Sequence, residues 1–379
     1  MDSGNKLFLL DAYALIYRAY YAFIKNPRIN SKGFNTSAIL GFVNTLEEVL
    51  KKENPSHIGV AFDPSGPTFR HEAFEQYKAQ REETPEAIRL SVPIIKDIIH
   101  AYRIPILEVA GYEADDVIGT LATEAGRQGI TTYMMTPDKD YGQLVTDNVF
   151  MYRPKHTGGF EVMGIEEVKA KFDIQSPTQV IDMLGLMGDA SDNIPGCPGV
   201  GEKTAQKLIA EFGSIENLLE HTDQLKGALK TKVETNKELI TFSKFLATIK
   251  IDVPIQLEMD KLVREQADED SLRQIFEELE FRTLIDRVLK KENSAGGVTM
   301  ATGSKTATAK SAPSPLPLFP EEGGAIQGDL FANFTGNEAG EAKKSNLETL
   351  ETLNCDYQLI DTEKKRTEII QKLLTSKIL

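Results

Sequence analysis

The sequence predicts an α/β protein with a mainly parallel central sheet flanked by helices, joined to an α-helical subdomain. Short apolar runs alternate with longer helical patterns through the first part of the chain, which is typical of a parallel sheet with helices on both faces. The runs are short and mainly apolar, which indicates strands buried on both faces. Four such runs are LFLLD at 7–11, HIGVAFD at 57–63, ILEVA at 106–110 and ITTYMMTPDKD at 130–140.

Helical patterns fill the spaces between these strands. Within residues 37–55 a serine stands near the start, and the predicted helix ends before Pro55, as helices often do. Residues 111–129 open with acidic side chains and stop at a glycine. Residues 85–105 begin at a proline, but Pro93 inside them predicts a kink or a division into two helices.

Length and composition fit an intracellular globular protein. The 379 residues allow two or three domains. Cys197 and Cys355 cannot form a disulfide framework, and the five histidines show no metal-ligand spacing. We see no signal peptide and no apolar run of about 20 residues, so we expect a cytoplasmic protein without a membrane partner. The formal net charge of −14 argues against nucleic acid unless the acidic residues are concentrated in one place.

Acidic residues follow the ends of the predicted strands or open the helices after them. Because ligands bind outside the carboxyl ends of parallel strands, we expect these side chains to converge on one edge of the sheet. Glu113 and Asp116 have the spacing to share a helix face, whereas Asp115 is expected to point elsewhere. The nine members of the set are Asp11, Asp63, Glu113, Asp115, Asp116, Asp138, Asp140, Asp189 and Asp192.

This acidic set predicts a divalent metal centre. Any one of these residues alone is best interpreted as a helix cap or a turn residue. Together, however, like charges would raise one another's pKa and destabilise the fold unless cations neutralise them. Oxygen ligands without histidine or cysteine fit Mg²⁺ or Mn²⁺. A pair of such ions is the usual apparatus for phosphodiester hydrolysis.

Basic and aromatic residues alternate in the segment 62–81, a pattern typical of a channel for a single nucleic-acid strand. Lys78 and Arg81 are spaced to share one helix face. An ordinary amphipathic helix with solvated charges is the alternative. In the first predicted helix, Arg18 and Tyr20 belong to an aromatic cluster with one cation, and we expect them to contact DNA. The alternating residues of segment 62–81 are Phe69, Arg70, Phe74, Tyr77, Lys78 and Arg81.

The stretch GCPGVGEKT at 196–204 nearly matches a P-loop, but Glu202 separates the glycine from the lysine. A helical pattern precedes it where a P-loop needs a strand, which argues against nucleotide binding. A helix, a glycine hairpin and a second helix fit better, with backbone N–H groups gripping a DNA phosphate. A glycine-rich loop of no function is the alternative. The expected contacts are Gly199, Gly201, Lys203 and Thr204.

Five segments in a fixed order carry a family resemblance: LFLLDAYALIYRAYYA, VAFDPSGPTFRHEAFEQYKAQR, GYEADD, TPDKDYGQL and GDASDNIPGCPGVGEKTA. Over roughly residues 6–290 the chain resembles the 5′-nuclease domains of the flap endonuclease family, in the form found in bacterial DNA polymerase I. The resemblance implies a PIN-like core and structure-specific 5′-3′ hydrolysis of 5′ ends, flaps and RNA primers in DNA replication and repair. Ala12 stands where many relatives have glycine, and we expect no loss of activity from so small a residue.

The resemblance also implies roles for the residues described above. Lys78 and Arg81 would contact the scissile phosphate from a mobile arch, and residues 196–204 would form a helix–three-turn–helix DNA clamp. In the family such a hairpin can hold a monovalent cation through backbone carbonyls, which makes K⁺ a candidate ligand. One Mg²⁺ or Mn²⁺ ion would be held by Asp11, Asp63, Glu113, Asp115 and Asp116. The second would be held by Asp138, Asp140, Asp189 and Asp192.

Composition changes after the helical part, where Gly, Ala, Ser, Thr and Pro without periodicity predict a flexible linker. The stretch QGDLF inside it resembles the peptides that dock on the bacterial sliding clamp, through Gln327, Leu330 and Phe331. The last residues resemble the start of a 3′-exonuclease-like domain, so we expect no polymerase activity. The predicted parts are a nuclease core at 1–175, a clamping subdomain at 176–290, a linker at 291–345 and this incomplete domain at 346–379.

The sequence therefore predicts a monomeric, nucleoid-associated nuclease that acts on 5′ flaps, nicks and RNA–DNA primer junctions. A PIN-type RNase is one alternative, because it shares the acidic cluster, although such enzymes generally lack the hairpin. A non-catalytic DNA-junction binder is a second alternative, although a binder would gain nothing from so complete a carboxylate set.

Overall fold

The computed structural model describes residues 5–155 and 158–289. Its centre is a six-stranded sheet with the order β3-β2-β1-β4-β5-β6. Strands β1 to β5 run parallel, and β6 pairs antiparallel with β5. The strands are β1 (Lys6–Asp11), β2 (His57–Ala61), β3 (Ile106–Leu107), β4 (Thr131–Met135), β5 (Val149–Pro154) and β6 (Phe160–Met163).

The predicted mainly parallel sheet is confirmed, and the central strand β1 shows why its pattern is continuous. Leu7 and Leu9 pack into one core while Phe8 and Leu10 pack into the other, and all four are fully buried. Two strands were missed: β5 (VFMYRP), which lies between β4 and β6, and the four-residue edge strand β6 (FEVM), each of which contains a charged residue. The predicted fourth run was too long, because a 3-10 helix (Lys139–Leu144) replaces its end.

Helices cover both faces of the sheet. The helices α1, α2, α4, α13 and α14 pack on the face that carries Phe8, and α5 to α11 pack against the other core. Their bounds are α1 (Ala12–Ala22), α2 (Ser37–Lys52), α3 (Phe69–Ala73), α4 (Glu86–Ala101), α5 (Ala114–Arg127), α6 (Ile165–Phe172), α7 (Gln179–Met187), α8 (Glu202–Phe212), α9 (Ile215–Glu220), α10 (Gly227–Thr235), α11 (Lys237–Ala247), α12 (Met259–Leu262), α13 (Glu269–Glu278) and α14 (Arg282–Val288). A second 3-10 helix spans Thr222–Gln224.

Helix α4 is a single helix with Pro93 inside it, so the chain is not divided there. Pro93 and Arg89, whose carbonyl would have paired with residue 93, are both exposed. Water can therefore replace the hydrogen bond that proline cannot make.

The predicted helical subdomain does not stay apart from the sheet. Its last helices return to the α/β core, where Leu272 and Phe276 are fully buried beside the strands and α4. The N–H of Asp268 donates to the carbonyl of Ala101 at 2.7 Å, which fixes the start of α13 against α4. The predicted linker and final domain, at 291–345 and 346–379, lie outside the described residues, and so does the QGDLF stretch. Within the described part, no helix is long and apolar enough to cross a membrane.

The hairpin between α7 and α8 is closed by its own backbone. Asp189 and Ile194 form an isolated antiparallel bridge, and Gly188 and Gly196 sit where the two ends of the loop cross. Both glycines have positive φ, 73° and 62°. A Cβ at Gly196 would collide with the backbone nitrogen of Gly188, so the crossing requires glycine.

Candidate metal centre and nucleic-acid interface

The carboxyl ends of the strands bring acidic residues to one edge of the sheet. Asp11 is the last residue of β1 and caps α1, where its Oδ1 accepts from the N–H of Ala14 at 3.1 Å. Its Oδ2 accepts from the hydroxyls of Thr136 and Tyr141 at 3.2 and 3.1 Å. Burial and then the charge of Asp63 raise the pKa of Asp11 to about 7. An acid held this way gains from a neighbouring cation.

A second group of acids opens helix α5. One carboxylate oxygen from each of Glu113, Asp115 and Asp116 lies within 4.8 Å of the others, an arrangement that could hold a metal ion. The expectation that Asp115 points away from its neighbours is wrong. Glu113 is the extended N-cap of α5, not a helical residue, so helical spacing does not apply to it.

Asp115 and Asp116 have different surroundings. Among the residues that the structure describes, the buried Oδ1 of Asp115 has no hydrogen-bond partner, with the Arg70 guanidinium 4.0 Å away. Burial and then the charge of Asp116 raise the pKa of Asp115 well above its usual range. Asp116 is fully buried, and each of its oxygens already accepts two hydrogen bonds.

Asp138 and Asp140 follow the end of β4 and extend the acidic edge. Asp138 Oδ1 accepts from the N–H of Asp140 at 3.0 Å. The buried Oδ1 of Asp140 has no hydrogen-bond partner within the described ranges. Burial and the charges of Asp138 and Asp189 raise its pKa well above the usual range. Because a buried polar atom normally has a partner, the orphaned oxygens of Asp115 and Asp140 fit ligands of divalent cations.

The hairpin supplies the remaining two predicted ligands. Asp189 Oδ1 accepts from the N–H and the hydroxyl of Ser191 at 2.8 and 2.5 Å, and its Oδ2 lies 2.9 Å from Lys139 Nζ. Asp192 Oδ1 lies 2.6 Å from Arg81 Nη2. Burial alone would raise the pKa of Asp192, but the charges of Lys78 and Arg81 lower it below its ordinary value. Lys139 was not predicted as a site residue, although it stands between the predicted ligands Asp138 and Asp140.

Lys78 and Arg81 both turn toward the acids, but not from a helix. Helix α3 ends before Phe74, and Lys78 has a φ of 56° in the turn that follows. The predicted shared helix face is therefore wrong. Lys78 Nζ lies 2.5 Å from Glu113 Oε1, and the Lys78 N–H donates to the carbonyl of Asp192 at 3.0 Å. Burial alone would raise the pKa of Glu113, but the charges of Lys78 and Arg70 lower it.

Two predicted DNA contacts are wrong because the side chains are buried. Arg70 is 1% exposed and points into the protein, where it pairs with Glu113 and Asp116. Tyr77 is 3% exposed, and its hydroxyl donates to Glu113 and Asp192 at 3.0 and 3.1 Å. The alternation of cations and rings suggested a solvent-facing strip, yet a dense carboxylate cluster needs internal donors as well.

The other predicted DNA contacts lie nearer the surface. Arg18 and Tyr20 are half-buried on α1, and Arg18 Nη2 donates to the carbonyl of Lys155 at 3.0 Å. Gly201 and Lys203 are exposed at the start of α8, and Thr204 is half-buried. These residues stand in the first turn of a helix, where the N–H groups of the backbone attract anions. The carbonyl of Gly199 accepts from Lys232 Nζ at 3.1 Å.

Two family models match the chain in order. One describes the 5′-3′ exonuclease N-terminal resolvase-like domain and matches residues 6–173. The other describes the 5′-3′ exonuclease C-terminal SAM fold and matches residues 175–270. The DNA polymerase I of Bacillus subtilis is 43% identical over 291 residues, which are 76% of this chain and 33% of the relative. That of Bacillus caldotenax is 40% identical over 287 residues, 75% of this chain and 32% of the relative.

The chain thus spans about a third of the length of the curated relatives it matches. Among solved structures, the T5 5′-exonuclease with bound zinc ions aligns with a TM-score of 0.54 at 22% identity, over 73% of this chain and 98% of that one. The bacteriophage T5 D15 flap endonuclease in complex with DNA and metal ions aligns with a TM-score of 0.53 at 23% identity. This alignment covers 73% of this chain and 99% of that one. These two likenesses support the fold. By the two family matches and the polymerase relatives, the chain belongs to the 5′-3′ exonuclease family.

Proposed function

We propose that the chain is the 5′-nuclease part of a DNA polymerase I and hydrolyses phosphodiester bonds at 5′ ends and flaps of DNA. The observation that carries the proposal is the pair of orphaned carboxylate oxygens, Asp115 Oδ1 and Asp140 Oδ1, in two acidic groups at one sheet edge. Lys78 and Arg81 reach the same acids from a neighbouring turn. Family membership and the DNA in the T5 flap endonuclease complex support a DNA substrate.

Two divalent ions, Mg²⁺ or Mn²⁺, fit this edge. Bound there, they would supply a hydroxide nucleophile and stabilise the leaving oxygen. One ion would be held by Asp11, Asp63, Glu113 and Asp115, and the other by Asp138, Asp140, Asp189 and Asp192. Asp116 would support the first group from behind, since donors occupy both of its oxygens.

The chain's own cations would orient the substrate. Lys78 and Arg81 would bind the scissile phosphate and compensate the charge that develops on it. The exposed start of α8, with Lys203 and Thr204, would hold a second phosphate without reading sequence. We extend the proposal to K⁺ as a ligand of the hairpin carbonyls. Arg18 and Tyr20 would flank the bound strand.

A labelled 5′-flap duplex tests the proposal, incubated with and without Mg²⁺. We expect cutting near the junction that depends on Mg²⁺ and is abolished in Asp115→Asn, while DNA binding remains. Asp97→Asn is the matched control, because Asp97 is an exposed carboxylate on α4. Cutting restricted to RNA would favour a PIN-type RNase, and binding without cutting would favour a junction binder. Normal cutting by Asp115→Asn would refute the ligand assignment.

We further propose nicks and RNA–DNA primer junctions as substrates and a monomeric, nucleoid-associated state. Docking on the sliding clamp through Gln327, Leu330 and Phe331 is also part of the proposal. A pull-down with purified clamp tests the last point. Replacing Leu330 and Phe331 by alanine should abolish capture, and unchanged capture would discard the idea.

A further inference from the structure

Arg70 joins the acidic edge to the helical subdomain through one buried guanidinium. Its five N–H donors make five contacts. Nη1 donates to Glu113 and Asp116 at 2.8 Å, and Nη2 donates to Asp116 and to the carbonyl of Thr248 at 2.8 Å. Nε donates to the carbonyl of Leu246 at 2.9 Å. The side chain therefore has no donor left for DNA.

Asp116 makes this guanidinium rigid. Its Oδ1 accepts from Arg70 and from the N–H of Lys250, and its Oδ2 accepts from Arg70 and from the N–H of Glu113, at 2.8 to 3.1 Å. The bidentate pair fixes the plane of the guanidinium. The same plane presents Nη1 to Glu113 Oε2, which leaves Oε1 directed at Lys78.

The two carbonyl contacts connect this pair to the hairpin. Leu246 belongs to α11, and Thr248 follows its last residue. One turn earlier on α11, the buried hydroxyl of Ser243 accepts from the N–H of Gly196 in the hairpin at 2.9 Å. The hairpin loop and Arg70 are thus both hydrogen-bonded to the last two turns of α11 or the residue after it, and Arg70 is bonded in turn to Glu113.

We propose that Arg70 is a positioning residue for cleavage: it orients Glu113 and fixes the acidic edge relative to the hairpin that holds the DNA. The inference rests on the proposed function. Charge alone cannot replace this role. A lysine has a single ammonium group on a flexible stem and cannot reproduce a planar fork that reaches two carboxylates and two carbonyls.

Arg70→Lys tests geometry while keeping the charge, and Arg89→Lys on the exposed face of α4 is the matched control. We expect Arg70→Lys to lower kcat on the 5′-flap duplex by about 100-fold, as misplaced catalytic groups do. The KM for DNA should stay within about 3-fold, because Arg70 does not touch DNA. Mn²⁺ titrated by calorimetry should bind more weakly, because Glu113 loses its bond to Arg70 and keeps only those to Lys78 and Tyr77. Arg89→Lys should match the wild type in all three.

A double variant separates positioning from folding. Arg70→Met alone leaves the buried charge of Asp116 without its partner, and this variant can fail to fold. Arg70→Met with Asp116→Asn removes both charges, so its melting temperature should rise above that of the single variant while kcat stays low. Wild-type kcat in the double variant, or wild-type kcat and Mn²⁺ affinity in Arg70→Lys, would overturn the proposal. If neither the wild type nor Arg89→Lys cuts the flap, the proposed function fails, and Mn²⁺ affinity alone decides the role of Arg70.

Discussion

Lys78 Nζ lies 2.5 Å from Glu113 Oε1, so a cation predicted to bind the scissile phosphate pairs directly with a predicted metal ligand. Lys78 also lies 3.6 Å from Asp192, at the other acidic group. The ammonium group therefore acts as a counter-ion for both groups in this structure. With three N–H donors, the ammonium group can also contact a substrate phosphate placed between the two acidic groups.

Lys78→Ala should change metal binding and cleavage in opposite directions. Removing the ammonium group frees Glu113 for a divalent ion, so Mn²⁺ should bind several-fold more tightly in calorimetry. The kcat on a 5′-flap duplex should fall by about 10²- to 10³-fold, because charge stabilisation at the phosphate is lost. Lys261→Ala, at an exposed lysine on α12, is the control. Weaker Mn²⁺ binding by Lys78→Ala would contradict the counter-ion role.

Asp11 should make stability depend on pH when divalent ions are chelated. Its folded pKa of about 7 exceeds an unfolded value of about 4. Between these values the folded state binds the extra proton, so the free energy of unfolding falls as pH rises. Asp11→Asn keeps the cap of α1 and removes this effect. In urea titrations with EDTA, the variant should be more stable than wild type at pH 8, by up to about 4 kcal/mol.

The same comparison near pH 4 should show little difference between Asp11→Asn and wild type, because the carboxyl is then protonated in the folded state. Adding Mg²⁺ at pH 8 should stabilise the wild type more than the variant, because only the folded wild type offers the full ligand set. A stability difference that does not change with pH would contradict the raised pKa of Asp11.

Gly196→Ala should damage the hairpin, because its φ is positive and the new Cβ would collide with Gly188. We expect a loss of about 1–3 kcal/mol in the free energy of unfolding and at least about 10-fold weaker binding to flap DNA, a factor of ten being about 1.4 kcal/mol. The contrast is Gly201→Ala, at a residue with φ of −100° and open space where its Cβ would lie. That change should alter the free energy of unfolding by less than about 1 kcal/mol. Equal effects of the two substitutions would argue against the crossing as the cause.

Asp182→Ala should destabilise the helical subdomain without touching the acidic edge. Asp182 is buried on α7, where its Oδ1 lies 2.6 Å from Lys244 Nζ and accepts from the N–H of Ile215 at 3.0 Å. Losing these charge-assisted bonds should cost about 2 kcal/mol in chemical denaturation. Mn²⁺ affinity should remain that of wild type, since Asp182 belongs to neither acidic group. A change in Mn²⁺ affinity would contradict the independence of this buried pair from the metal edge.

The sequence predicted four of the six strands and the acidic edge, because short apolar runs and strand-end acids depend on local pattern. It could not show which acidic residues are free to bind a metal ion. Asp115 and Asp116 are neighbours of the same type, and only the fold shows that Arg70 and the Lys250 N–H occupy Asp116. The sequence also could not show that Arg70 is buried, because its partners are distant along the chain. Its partners Leu246 and Thr248 are contributed by a part of the chain more than 170 residues away.

The contacts of Arg70 also bear on how this chain can be cut into pieces. A fragment that ends near residue 175, between the two family matches, would lose Leu246 and Thr248, leave two guanidinium donors without their carbonyl partners and uncover the apolar side chains that pack against the helical subdomain. Recombinant expression of the N-terminal half alone should therefore give insoluble or partly unfolded material. By these contacts, we expect the two sequence modules to fold as one unit.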